Sequence, residues 1–197
     1  MTTTTTVGAG RGLARLLLVG GLTGLAASAA LTFERLRLLE DPAYRPSCSI
    51  NPVISCGSVM RTGQAAVFGF PNPLIGLVAF GALTAVGAGL LAGARHRRWY
   101  WLGLQAGTLA GLAFVVWLIA QALYVIGALC PYCMVVWAVI GPLTWYVTLH
   151  NLRTGILPAP RAWTAPTRFH WVGPALWYLG IALLVLNRFW YYWQTLL

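Results

Sequence analysis

Apolar residues in this chain gather in long unbroken runs, not in the alternating or one-sided patterns of elements that face water. Five runs approach or exceed the roughly 20 residues a helix needs to cross a bilayer. They cover about 13–31, 73–94, 99–125, 130–149 and 172–190. Backbone groups in hydrocarbon must be satisfied within the segment, so each run is predicted to be a helix. The expected organisation is a disordered N-terminal stretch over 1–12, a four-helix unit over 13–150 with a long polar loop at 32–72, a linker over 151–170, and a fifth transmembrane helix within 171–197. The run Thr2 to Thr6 is polar and of low complexity.

Composition agrees with lipid as the solvent. The 197 residues are 59% hydrophobic and 8% charged, where soluble domains carry roughly a quarter charged residues. The net charge of +10 comes from thirteen arginines scattered between the runs. They form no basic helix face, so nucleic-acid binding is excluded. No Asp, Glu or Lys stands in the middle of a run, which weighs against a pump or transporter.

The arginines also predict orientation. The N-terminus, the 95–98 loop and the 150–170 loop share eight arginines and no acid. The 32–72 loop, the 126–129 turn and the C-terminus share five arginines and three acids. Basic residues concentrate on the cytoplasmic side. The N-terminus is therefore expected in the cytoplasm of a multi-pass plasma (inner) membrane protein, with every cysteine on the outer side. A signal-peptide reading of "LLLVGGLTGLAASAA", with small residues at Ala27 and Ala29, is less favoured. "LTFERLRLLE" continues the helical apolar spacing directly after it.

Small residues at Gly76, Gly81, Gly87, Gly89, Gly93, Gly103, Gly107 and Gly111 are expected to let helices pack closely. Trp99, Tyr100, Trp101, Trp163, Trp171, Trp190, Tyr191, Tyr192 and Trp193 crowd the predicted span ends and read as interfacial anchors. His96, His150 and His170 fall on the cytoplasmic side and read as interfacial charge.

The candidate chemistry lies in four cysteines. Cys130 and Cys133 form "CPYC" at the start of the fourth run, and Cys48 and Cys56 lie in the 32–72 loop. A helix N-terminus favours the thiolate, which is both nucleophile and leaving group in disulfide exchange. In an oxidising compartment, inert structural disulfides are one reading. A zinc site is a weak second, because no His or Asp accompanies the thiols. Redox exchange between the loop pair and the helix pair is the third. Such a dithiol needs an electron acceptor, and in the bilayer that is a lipid-soluble quinone. "VFGFPNPLIG" supplies a plausible wall. Asn72 can donate to a quinone carbonyl, although its place before Pro73 reads first as a helix cap.

In order and spacing, "CSINPVISC", "FGFPNPLIG" and "CPYC" resemble the vitamin K epoxide reductase family in its bacterial form, over about 13–149. DsbB-type quinone-linked oxidases have similar chemistry but place C-x-x-C before the loop pair. A non-catalytic membrane scaffold with structural disulfides is the reading from another class. The resemblance implies a four-helix transmembrane bundle around a quinone of the menaquinone or ubiquinone class, plus a fifth helix. It implies catalytic roles for Cys130 and Cys133, with Cys133 facing the quinone. Cys56 would shuttle electrons to Cys130, and Cys48 would admit them. Asn72 matches the family's quinone-binding asparagine, and Thr62 loosely matches a loop hydroxyl that is serine in relatives. Trp137 stands where the family often has a tyrosine, and an indole nitrogen donates but cannot act as a phenol. Many bacterial relatives carry a fused thioredoxin-like domain. This chain stops at Leu197, so the expected partner is a separate secreted thioredoxin-fold (DsbA-like) protein, and the expected function is disulfide formation in secreted proteins.

Overall fold

The computed structural model describes residues 6–158 and 169–194. Among the described residues, four helices are long and apolar enough to cross a membrane: α1 (Arg11–Glu40), α3 (Pro73–Leu91), α4 (Arg98–Ala120) and α5 (Pro131–Arg153). A short helix α2 (Cys56–Met60) and a 3₁₀ turn (Gly63–Ala66) lie in the loop between α1 and α3. A π-helical segment (Gln121–Ile126) extends α4. The fifth apolar run forms α6 (Val172–Arg188), of 17 residues, and the single turn α7 (Trp190–Trp193) follows it. The fold is an integral membrane helical bundle, with α6 a shorter apolar helix than a typical span.

The helices differ from the sequence expectation mainly at their ends. α1 runs unbroken for 30 residues, about 45 Å at 1.5 Å per residue. The cysteine loop is thus carried past the hydrocarbon. Residues 1–5 lie outside the described residues, as do Trp163 and much of the 151–170 linker. From Thr6 onward the N-terminal stretch is ordered, contrary to the expected disorder over 1–12. Thr6–Val7 pairs with His96–Arg97 as a two-stranded ribbon, β1 with β2, and Arg11 already belongs to α1.

α1 packs along α3 and against α5, and α4 packs along α5. Glycines make the α1–α3 contact possible. A Cβ at Gly21 would lie 2.6 Å from Thr84 Oγ1, and one at Gly87 would overlap the Leu18 backbone. Polar side chains join α4 to α5. Gln105 Nε2 donates to Thr148 Oγ1 at 2.9 Å, and Asn151 Nδ2 donates to Gln105 Oε1 at 3.0 Å. Without a hydrophobic force between helices in lipid, such bonds and close backbone approach hold the bundle.

α3 and α4 are not among the closely packed pairs. Open space therefore faces Gly103 and Gly107, where an added Cβ would meet nothing within 4 Å. The expected close packing holds at Gly76 and Gly87, is ordinary contact with Ile140 at Gly111, and fails at Gly81, Gly103 and Gly107; Gly103 and Gly107 face the cavity instead. Trp101 also departs from expectation. It is fully buried, with its indole donating to the Val7 carbonyl at 3.2 Å, so it is core and not an interfacial anchor. His150 packs against it with tilted rings, 4.2 Å between centroids, instead of standing as interfacial charge.

Candidate functional site

Backbone pairing brings the two cysteine segments together. Ile54 and Leu129 form a parallel bridge, with the Ser55 amide donating to the Leu129 carbonyl at 2.8 Å and the Leu129 amide to the Val53 carbonyl at 2.7 Å. Asn51 Oδ1 shapes the approach by accepting from the Val53 and Ile54 amides. Ser55 then caps α2 through the Ser58 amide, which starts that helix at Cys56. On the other side Gly127, at φ +69°, ends the π segment. Cys130 begins α5, with Pro131 in the first turn, where a missing N–H costs nothing.

In this arrangement Cys48 and Cys56 form a disulfide, while Cys130 and Cys133 are free thiols. Cys130 Sγ stands 3.2 Å from Cys56 Sγ, and both residues are buried. Cys56 is already bonded to Cys48, so Cys130 supplies the hydrogen. The Cys133 thiol, together with the Cys133 and Tyr132 amides, holds Cys130 below the ordinary cysteine range, while burial opposes them. A lowered thiol of this kind is a better nucleophile than an ordinary cysteine at the same pH.

A cavity of about 380 Å³ opens beside the helix pair, between α3 and α4. Its walls are largely apolar and include both Cys130 and Cys133. The size and character suit a small greasy ring. Trp137, one turn beyond Cys133, is buried in the same wall.

Asn72 and Thr62 line this cavity, but neither is simply a free donor. Asn72 is buried at the start of α3 and makes no cap bond. Its side chain reaches back into the loop, donating from Nδ2 to the Gln64 carbonyl at 2.7 Å and accepting from the Val67 amide at 3.1 Å. An amide carries two hydrogens, and Gln64 takes one. The Thr62 hydroxyl donates to the Val59 carbonyl at 2.7 Å, which leaves only its lone pairs for a ligand.

Three further residues secure the site and carry no signal in the sequence. Pro142 interrupts α5 and removes the N–H that would bond the Ala138 carbonyl. The Tyr178 hydroxyl of α6 donates to that carbonyl at 2.9 Å, and Trp177 Nε1 donates to the Trp137 carbonyl at 2.9 Å. A side chain at Gly141 would occupy the space of the Trp177 indole. At the other end of α6, Arg188 Nε donates to the Leu123 carbonyl in the π segment at 2.7 Å. α6 thus grips the chain on both sides of the C-x-x-C turn. Only a proline in a span, leaving one carbonyl without its donor, could have hinted at this.

Comparison with known proteins bears on the cysteine core. Residues 15–148 match the vitamin K epoxide reductase family. The chain is also similar to the thiol-disulfide oxidoreductase LTO1 of Arabidopsis thaliana, at 31% identity over 88 residues. That match takes in 41% of this chain and 23% of the plant protein. The four spanning helices, the paired thiols and the family match agree, and the chain belongs to the vitamin K epoxide reductase family.

Proposed function

We propose that this protein is a membrane thiol oxidoreductase that passes electrons from a secreted thioredoxin-fold protein to a membrane quinone. The carrying observation is the 3.2 Å approach of Cys56 to Cys130, beside a cavity lined by Cys133.

The relay runs by thiol–disulfide exchange. A dithiol of the partner attacks the Cys48–Cys56 bond at Cys48, leaves as a disulfide, and frees both loop thiols. Cys56 as thiolate then opens a Cys130–Cys133 bridge, forming Cys56–Cys130 and releasing Cys133. Cys48 attacks Cys56, restores the loop disulfide and releases Cys130. The bonding pattern of the structure, loop pair joined and helix pair free, corresponds to this last point. The Cys130–Cys133 dithiol then gives up two electrons and two protons as its bond re-forms. A quinone in the cavity supplies the oxidising potential. In this reading Asn72 and Trp137 hold it and Thr62 accepts from it, a reading supported by all three lining the cavity. The arginine distribution supports a cytoplasmic N-terminus and an outer face for the cysteines.

The test is to trap the partner. When the partner's second, resolving cysteine is replaced by alanine, its remaining thiol should attack the Cys48–Cys56 bond, release the Cys56 thiol and stay joined to Cys48 as a mixed disulfide on non-reducing gels. A scaffold with inert bridges gives no such adduct, and Cys130→Ala would then reduce stability alone.

A further inference from the structure

The cavity walls carry one permanent charge. Among the described residues lining it, Arg35, near the end of α1, is the only Asp, Glu, Lys or Arg. Its Nη1 donates to the Met60 carbonyl at 2.5 Å. Its Nε is buried and meets no hydrogen-bond partner among the described residues. The chain has three acids in all, and they are engaged elsewhere or exposed. Glu34 accepts from Tyr44 and Ser47, Asp41 accepts from the Ala43 amide, and Glu40 is exposed at the end of α1. A cation at an apolar wall with a buried, unmet donor is costly unless something negative joins it. The bond to Met60 braces the loop but neutralises nothing.

We propose that Arg35 receives the negative charge that arises on the acceptor's oxygen as electrons leave the helix dithiol, so that the cavity favours oxyanions over neutral rings. This rests on the quinone reading above. Overall, the Cys130 and Cys133 sulfurs lose two electrons and two protons as their bond forms. The quinone gains both pairs, its two carbonyls becoming hydroxyls. Arg35 keeps its own protons throughout and holds the charge until a proton arrives. A fixed cation in a water-poor site acts without reorganising. Its planar fork suits an oxyanion better than an ammonium does.

The experiment measures binding, not turnover. The full chain in detergent is titrated with 1,4-naphthoquinone and with its acidic 2-hydroxy derivative, following tryptophan emission, since Trp137 lines the cavity. Wild type is expected to bind the ionised hydroxy compound at least about tenfold tighter than the neutral parent. That preference should vanish when the pH falls below the compound's own ionisation. Arg35→Gln should erase the preference, weakening binding of the ionised compound at least about tenfold more than binding of the neutral parent, and Arg35→Lys should retain part of it. If Arg35→Gln fails to fold, the wild-type pH series and Arg35→Lys decide the matter. Neutral binding without any anion preference, or a preference that survives Arg35→Gln, makes Arg35 a brace for Met60 only and overturns the proposal. Failure of wild type to bind the neutral quinone removes the quinone reading first, and this inference with it.

Discussion

At the residue scale the site depends on how few groups set the behaviour of one thiol. Cys130 is held below the ordinary cysteine range by the Cys133 thiol and two amides. Its alkylation should therefore rise with pH through a midpoint below that of an ordinary cysteine. Cys133→Ala removes the largest of these influences and should move the midpoint upward, as mass spectrometry of alkylated protein across a pH series would reveal. Glu34 is a second such group. It is buried and accepts from Tyr44 and Ser47, the residue next to Cys48. Glu34→Ala leaves two donors without their acceptor and should cost about 1–3 kcal/mol locally. The Cys48–Cys56 bond should then be reduced faster by a small phosphine. An unchanged rate would show that Glu34 does not hold the loop.

At the element scale, glycines with the same look in the sequence serve opposite ends. Gly87 sits where a side chain would strike the α1 backbone, whereas Gly103 faces the cavity. Gly87→Leu should lower the unfolding temperature sharply. Gly103→Leu should leave stability nearly unchanged and weaken quinone binding by filling the space. α6 makes a second prediction. Tyr178→Phe strips the donor from the carbonyl that Pro142 leaves open, and should cost about 1 kcal/mol or somewhat more in the bilayer. Thermal unfolding in lipid nanodiscs measures it. The apolar runs and the thiols at a helix start were legible because each is a local pattern. The Arg188–Leu123 bond at the π segment was not, because it joins distant segments, and the unmade Asn72 cap was not, because Gln64 and Val67 take that side chain in a loop whose turns the sequence does not announce. Thr62 was hidden by a local turn as well, its hydroxyl taken by a carbonyl three residues back.

At the scale of the whole molecule, all four cysteines gather at one end of the bundle and the β1–β2 ribbon lies at the other. In the proposed orientation the cysteine end faces outside. In a variant with all four cysteines replaced by serine, Ile50→Cys should react with a membrane-impermeant maleimide from outside, and Trp99→Cys should not. Both positions are exposed, so accessibility to water and side of the membrane decide the result. Labelling of the reverse pattern would invert the topology. The partner and the bilayer would then be on the wrong sides for the relay.

The most direct measurement of the electron route is its stoichiometry. Full-length protein in nanodiscs is given a reduced thioredoxin-fold protein and a menaquinone or ubiquinone analogue, with quinone absorbance and free thiols followed together. The expected result is one quinol formed per disulfide made, with neither formed by Cys133→Ala. Disulfide formation with no quinol, or equal quinol from Cys133→Ala, would contradict it.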